Sequence, residues 1–323
     1  MQEMKIERDS QNKMEAPEAK LCSSREETED KPDTLSGDES IRKRKLRLIA
    51  ILPAIIILIG LIILTRFRNI LPTTMRPFDL EDKRINHAEK PYTISGALNV
   101  TIGSLSVLFF TIMWFVCEGR LQKPVYRKNT IKVLATVYFT MLGACFMIVL
   151  VNSTKNVAGH LRPYFIAACK PNETLVDELK SRGTTWVDEN MSEVICTSKR
   201  SQKYRWSFPS GHSAEAWYAM TLSILLVQYT QNIADKYAEF RLLILPVKAT
   251  LQFLSFTFAS ATCISRTYDY HHHWWDVLAG SLFGVLVAVV IFYWFLKPVM
   301  ESTDKPPVPQ KTPRCEEIAL VPV

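Results

Sequence analysis

The chain has 323 residues, 48% of them hydrophobic, and carries 39 Lys and Arg against 32 Asp and Glu. Its mean hydropathy of +0.04 would suit a soluble protein, but polar tails and loops dilute several long apolar runs. The basic excess flanks those runs and forms no compact basic domain with interleaved aromatic residues, which argues against a nucleic-acid-binding protein.

Six apolar segments are long enough to cross a bilayer, which takes about twenty residues. The sequence therefore predicts an all-α, multi-pass membrane protein with six transmembrane helices. The fourth and fifth segments are the least apolar, because Glu215 and Lys248 lie near their N-terminal ends, where a charge can reach the interface. The predicted spans are 48–65, 95–117, 131–152, 213–230, 246–264 and 277–297.

The two ends of the chain are predicted to be cytosolic tails around a membrane domain of residues 48–298. Residues 1–47 begin as an acidic, polar stretch typical of disorder and end in a basic run beside the first span, an arrangement typical of a signal anchor. Six spans return the C-terminus to the same side, where residues 299–323 are rich in proline and predicted to be unstructured.

The segment between the third and fourth spans indicates the orientation. It contains glycosylation sequons at Asn172 and Asn190, which are useful only outside the cytosol. It also contains Cys169 and Cys196, a candidate disulfide in an oxidising compartment. Basic residues do not settle the orientation, because the loop 66–94 on the same predicted side is also basic. We therefore expect an exoplasmic segment, extracellular or lumenal.

Three polar clusters fall on this predicted exoplasmic face. The first, KNVAGHLRP, holds Lys155 and Arg162, which lie on one side if the stretch is helical. The second, PSGH, opens the fourth span, where Gly211 lets a ligand approach the N–H groups of a helix N-terminus. The third, SRTYDYHHHWWD, holds Arg266, three histidines and Asp276.

Together these clusters suit a phosphate group. They supply three fixed cations, a hydroxyl, a helix N-terminus, histidines and a carboxylate. The planar fork of arginine matches phosphate oxygens, and lysine adds a point charge. The same donors can stabilise the charge that spreads over the oxygens during phosphoryl transfer.

The three consecutive histidines do not predict a metal site. Neighbouring histidines point in different directions, and no cysteine or second carboxylate accompanies them at a ligand spacing. A histidine–carboxylate pair is favoured, because His272 and His273 lie four and three residues before Asp276, and both spacings allow contact on a helix. A carboxylate that holds one ring nitrogen leaves the other free to attack. Spacing alone leaves the choice between the two histidines open.

The three clusters resemble the signature motifs of the lipid phosphate phosphatase (type 2 phosphatidate phosphatase) family. Its pattern is Lys-x6-Arg-Pro, then Pro-Ser-Gly-His, then Ser-Arg-x5-His-x3-Asp, and the resemblance covers about residues 48–298. The flanking RPYF and DYHHHWWDVLAG look most similar to the animal integral-membrane phospholipid phosphatases. The matching residues are Lys155, Arg162, Pro163, Pro209, Ser210, Gly211, His212, Ser265, Arg266, His272 and Asp276.

The resemblance implies hydrolysis of phosphatidate, lysophosphatidate, ceramide 1-phosphate or sphingosine 1-phosphate, with no metal or other cofactor. It implies that His272 is the nucleophile and forms a phosphohistidine, and that Asp276 orients it. His212 would protonate the departing alcohol and then activate water. The residues that would hold the phosphate are Lys155, Arg162, Ser210, Gly211 and Arg266.

We expect an integral enzyme of the plasma membrane, and the sequence leaves homo-oligomerisation and the preferred lipid open. A catalytically silent lipid-binding relative is one alternative, against which the intact His212, His272 and Arg266 argue. A transporter or channel is another, but it would carry more ionisable or broken-helix features at mid-membrane. A phosphatase of soluble phosphate esters would share the chemistry and differ in its substrate.

Overall fold

The computed structural model describes residues 53, 55–61, 63–64, 73–119, 126–198, 201–229 and 241–301. The chain divides into two compact units, Met1–Pro53 and Ala54–Val323, and almost all of the described residues belong to the second. The predicted tails lie outside the described residues, except for 299–301, which are helical.

The second unit is mainly helical. Two short strands, β1 (Phe78–Asp79) and β2 (Trp186–Val187), pair in an antiparallel ribbon, and a 3₁₀ turn covers Ser201–Arg205. A π-helical turn, Phe292–Leu296, joins the last two helices. In chain order the helices are α1 (Gly96–Gly119), α2 (Tyr126–Ala158), α3 (Phe165–Cys169), α4 (Glu173–Ser181), α5 (Glu189–Val194), α6 (Gly211–Tyr229), α7 (Arg241–Tyr268), α8 (Trp274–Ile291) and α9 (Lys297–Glu301).

Four helical stretches of the described chain are long and apolar enough to cross a membrane, so the protein is a helical integral membrane protein. They match the second, third, fifth and sixth predicted spans, and the last of them runs through α8 and α9. The first predicted span lies mostly outside the described residues, although 55–61 are helical. The four stretches are Gly96–Val116, Lys132–Ala158, Leu242–Tyr268 and Trp274–Glu301.

The fourth predicted span corresponds to α6, which is not among these four stretches. α6 packs against α1, α2, α7 and α8, and Leu222 and Leu226 are fully buried there. Polar residues such as Ser213 and Ser223 are also fully buried in it. Because neighbouring helices surround α6, small polar residues are tolerated at its contacts, and they lower its apolar character.

The segment between α2 and α6 forms a second core outside the helical bundle. Its buried side chains include Phe165, Val187 and Ile195, which pack against Phe78 of β1. Cys169 and Cys196 form a disulfide with a Cα–Cα distance of 4.8 Å. These contacts join the segment to β1 and cross-link it to itself.

α8 approaches the chain before α6 at a glycine. A Cβ atom at Gly280 would overlap the main-chain oxygen of Ser210 and would also lie 3.3 Å from its nitrogen. Small residues at such a crossing let two backbones come close. The approach places the start of α8 beside the start of α6.

We predict that Gly280→Ala destabilises the protein by about 1–3 kcal/mol, because the new methyl group meets the Ser210 main chain and α8 must shift. Gly60→Ala is the matched control, since a Cβ at Gly60 meets nothing within 4 Å. Thermal unfolding in detergent micelles compares the two variants. Equal melting temperatures would contradict the close approach.

Candidate active site

The first motif runs past the end of α2. The helix ends at Ala158, and Gly159 follows with a φ of +54°, a conformation that glycine adopts without strain. Lys155 therefore lies in the last helical turn and Arg162 lies in the chain beyond it. The helical spacing considered for these two cations is wrong, because the glycine ends the helix between them. Both cations nevertheless lie near His272, whose pKa is lowered by burial and then by the charges of Arg162 and Lys155.

The second motif turns the chain into α6 through a cis Phe208–Pro209 peptide bond. α6 then begins at Gly211. A Cβ at Gly211 would lie 3.3 Å from the Lys155 Nζ atom, and a Cβ at Gly96 would lie 2.9 Å from the His212 Nε2 atom. Lys155 therefore reaches the start of α6, and the His212 ring reaches from α6 to the start of α1, through space that the two glycines leave open.

The third motif connects α7 to α8. Arg266 lies in the last turn of α7, and its main-chain oxygen accepts hydrogen bonds from the N–H groups of His271 and His272, at 3.0 and 3.2 Å. His273 precedes α8, and its N–H donates to Asp276 Oδ2 at 3.0 Å. His272 therefore reaches Asp276 from the loop before the helix.

Asp276 is the point at which the three motifs meet. Its Oδ2 atom accepts a hydrogen bond from the Ser207 hydroxyl at 2.6 Å and lies 3.9 Å from His272 Nδ1. Its main-chain oxygen accepts from the Ser210 N–H at 2.9 Å, and the Ser207 N–H donates to the His160 main-chain oxygen at 3.0 Å. The carboxylate is fully buried, so these bonds fix its orientation. Nothing in the motif spacing had singled out Ser207.

Two buried guanidinium groups offer unused donors. Arg162 is 7% exposed and Arg266 is 0% exposed. Among the described residues, the Arg162 Nε and Arg266 Nη1 atoms are buried without a hydrogen-bond partner. Buried N–H groups are nearly always paired, and arginine donors match phosphate oxygens. These two groups therefore indicate an anion site.

Tyr92 and Asp269 hold Arg266 in place, and the motif pattern assigns a role to neither residue. The guanidinium carbon lies 5.0 Å from the centre of the Tyr92 ring, and its Nη2 atom lies 3.9 Å from Asp269 Oδ2. Asp269 also accepts hydrogen bonds from the N–H and hydroxyl of Thr93, at 2.8 and 2.7 Å. The spacing of three residues from Arg266 to Asp269 is a helical contact signal, whereas no local pattern links Tyr92 to this motif.

A cavity of about 520 Å³ borders the site and is lined in part by Lys155, Arg162, Gly211 and His212. The nearby His272 is 2% exposed. Burial lowers the pKa of His272 well below its ordinary value, and the charges of Arg162, Lys155 and His212 lower it further. The imidazole is therefore neutral at neutral pH and keeps a lone pair that can attack an electrophile.

The family model described as the PAP2 superfamily matches residues 132–299, which include all three motifs. The chain belongs to the PAP2 superfamily. The resemblance to lipid phosphate phosphatases is thereby confirmed. No solved structure matches the chain.

Curated relatives agree with this PAP2 assignment. A human protein named phospholipid phosphatase 2 is 31% identical over 226 residues, which are 67% of this chain and 71% of the relative. A Caenorhabditis elegans protein named as a phospholipid phosphatase homolog is 29% identical over 270 residues, or 77% of this chain and 75% of the relative. A Drosophila melanogaster relative is 32% identical over 167 residues, or 51% of this chain and 42% of its own length.

The two sequon asparagines of this PAP2 protein lie in the segment between α2 and α6. Asn190 is exposed on α5. Asn172 is the N-cap of α4, where its side chain accepts a hydrogen bond from the Thr174 N–H at 3.0 Å. Glycan attachment at either asparagine stays a prediction.

The burial of His271 predicts how the free energy of unfolding depends on pH. The side chain is 1% exposed and stacks on Tyr92 with ring centres 3.9 Å apart. Burial, aided by the charges of Arg162 and Arg266, lowers its pKa from 6.5 to about 4. Below pH 6.5 the unfolded chain binds a proton at this residue that the folded protein excludes, so stability rises with pH between about 4 and 6.5.

We therefore expect the melting temperature of His271→Gln to fall less than that of the wild type when the pH falls from 7.5 to 5. The measurement is thermal unfolding in detergent with EDTA. His87→Gln is the control, because His87 is only half-buried against Tyr270. An acid-induced loss in His271→Gln as large as that of the wild type would contradict the assignment.

Proposed function

We propose that this PAP2 protein removes phosphate from lipid phosphate monoesters through a covalent phosphohistidine at His272, without a metal cofactor. The observation that carries the proposal is the pair of buried guanidinium groups, Arg162 and Arg266, each of which has a donor without a protein partner in the described chain and therefore suits an anion. His272 and His212 lie at the same site. The family assignment and the names of the relatives support a lipid phosphatase.

In the first step, His272 attacks phosphorus. Its Nδ1 atom faces Asp276, at 3.9 Å, which leaves Nε2 as the attacking atom. A nitrogen–phosphorus bond forms, the ester oxygen leaves with the bonding electrons, and His212 gives it a proton. Asp276 stabilises the positive charge that develops on the His272 ring.

In the second step, water hydrolyses the phosphohistidine. His212, now neutral, takes a proton from water, and the resulting hydroxide attacks phosphorus. The nitrogen–phosphorus bond breaks, inorganic phosphate leaves, and His272 returns to its neutral form. Both steps move negative charge over the phosphoryl oxygens, where fixed cations stabilise it. The proposed phosphate-binding residues are Lys155, Arg162, Ser210, Gly211 and Arg266.

A second cavity supports a lipid substrate over a soluble ester. It has a volume of about 400 Å³, is lined mainly by apolar residues of α1, α2 and α6, and shares Met147, Ile148 and Glu215 with the cavity beside the cations. An acyl or sphingoid chain can lie in this groove while its phosphate reaches the polar site. The proposed substrates are phosphatidate, lysophosphatidate, ceramide 1-phosphate and sphingosine 1-phosphate.

We further propose that the site faces the exoplasmic side of the plasma membrane in a protein of six spans. The disulfide between Cys169 and Cys196 supports this orientation, because such bonds persist in oxidising compartments. The sequons at Asn172 and Asn190 lie in the same segment. Residues 1–47 and 299–323 are then cytosolic tails flanking the membrane domain, residues 48–298.

The test is phosphate release from phosphatidate in detergent micelles with EDTA present. We expect activity in the wild type and a loss of at least about a thousandfold in His272→Ala, because removing a nucleophile removes the covalent route. His87→Ala is the matched control and should keep the wild-type rate. Circular dichroism and melting temperature confirm that each variant is folded.

Four outcomes would contradict the proposal. Activity in folded His272→Ala would place the nucleophile elsewhere, and loss of the wild-type activity in EDTA would require a metal. Faster release from a water-soluble ester such as glycerol 3-phosphate would favour a soluble substrate. No release from any lipid phosphate would favour a silent lipid-binding relative.

A further inference from the structure

Three potential metal ligands meet at the carboxylate oxygen of Asp276 that the proposed mechanism does not use. His160 belongs to the chain after α2, whereas His273 and Asp276 belong to the start of α8. Each residue offers one ligand atom, and the three atoms lie within 4.8 Å of one another. Asp276 Oδ2 faces His272, whereas Oδ1 faces His160 Nδ1 at 3.5 Å.

Two of these atoms have no other partner. In the part of the chain that the structure describes, His160 Nδ1 and Asp276 Oδ1 are buried and make no hydrogen bond. Buried polar atoms are nearly always paired, so two unpaired atoms facing each other need an explanation. A cation held between the two atoms would satisfy both of them.

The His273 ring has the surroundings of a metal ligand. It stacks on Trp275 with ring centres 4.6 Å apart, and its Nε2 atom lies 3.2 Å from the main-chain oxygen of Leu161. A histidine that donates one ring N–H to a carbonyl keeps a lone pair on the other nitrogen. This arrangement is the usual support of a metal-ligating histidine. In His273 this second nitrogen faces the main-chain N–H of Asp276 in a capping box, and a metal ion can replace that contact because the same N–H also bonds the His273 main-chain oxygen at 3.1 Å.

A metal ion can reach the cluster without passing through the proposed phosphate site. His160 and His273 line a cavity of about 690 Å³, and none of its lining residues lines the 520 Å³ cavity that contains Lys155 and His212. The lining carries three carboxylates and three cations. Two of these groups, Arg84 and Asp82, form a salt bridge with a nitrogen–oxygen distance of 3.0 Å. Water from this cavity can fill the fourth position of a tetrahedral site.

We propose that His160, His273 and Asp276 bind Zn²⁺ and that the bound ion inhibits the enzyme. Two imidazole nitrogens and one carboxylate oxygen suit zinc, whereas Mg²⁺ and Ca²⁺ prefer oxygen ligands alone. An ion on Oδ1 draws the negative charge of Asp276 away from His272, so the positive charge of the attacking ring is less stabilised. The inhibition rests on the proposed function, but the binding does not.

Binding is tested on the full chain, purified in detergent and stripped with EDTA, by titration with Zn²⁺ in a calorimeter and by melting temperature. Zn²⁺ should raise the melting temperature of the wild type, because it binds the folded protein preferentially. We expect His160→Gln to bind at least about tenfold more weakly, as loss of a ligand or its support does. His160→Cys should retain binding, because thiolate is also a zinc ligand.

Two further variants control for misfolding and for zinc that binds elsewhere on the protein. His273→Gln removes a ligand from the other segment and should weaken binding in the same way. His87→Gln removes a histidine that stacks on Tyr270 instead and should bind zinc as the wild type does. Equal Zn²⁺ affinity in wild type, His160→Gln and His273→Gln would overturn the site.

The inhibition is tested by phosphate release from phosphatidate with and without Zn²⁺. We expect Zn²⁺ to slow the wild type at least about tenfold at saturation, and His160→Gln to keep its rate in EDTA and resist Zn²⁺. Zinc that binds at His160 without slowing release would overturn the inhibitory role. A wild type that releases no phosphate would defeat the proposed function, and the calorimetric result would still decide the binding site.

Discussion

The site depends on one buried carboxylate. A charge taken out of water is expensive unless hydrogen bonds or opposite charges surround it. Asp276 is fully buried and meets this requirement through the Ser207 hydroxyl and the His273 N–H. Its main-chain oxygen also receives the Ser210 N–H. These bonds can form only when the third motif, which runs into the start of α8, lies beside the chain before α6. The same arrangement sets the position of His272.

The packing of the helices holds the start of α8 beside the chain before α6. Helix α6 lies among four other helices, and glycines such as Gly280 let α8 approach it at backbone distance. The rigid contact places the N-terminus of α6 and two buried arginines around one small volume. An anion there meets fixed donors that need no rearrangement, which is the condition for electrostatic stabilisation of a phosphoryl group. The adjoining apolar groove explains why that phosphate would be carried by a lipid.

Much of this architecture is predictable from sequence, because hydropathy marks the lipid-facing helices and the three motifs mark the site. The features that the sequence did not predict depend on contacts between residues that are far apart in the chain. Gly159 ends α2 between Lys155 and Arg162, so a helical spacing could not relate the two. Ser207 and Tyr92 lie outside any motif, and only the folded chain brings them to Asp276 and Arg266. The sequence did not predict the proposed zinc site for a similar reason, since His160 comes from a different motif than His273. α6 shows that burial among helices relaxes the need for an apolar sequence.

The most direct test of this account is to trap the covalent intermediate. Rapid quenching of the wild type in alkali with ³²P-labelled phosphatidate, followed by digestion and peptide mapping, locates the label. His212 is left intact in this experiment, because it is the proposed acid of the first step and the proposed base of the second. The account predicts an acid-labile label on His272, absent in His272→Ala. Label on another residue, or steady phosphate release without any labelled protein, would contradict the proposed nucleophile.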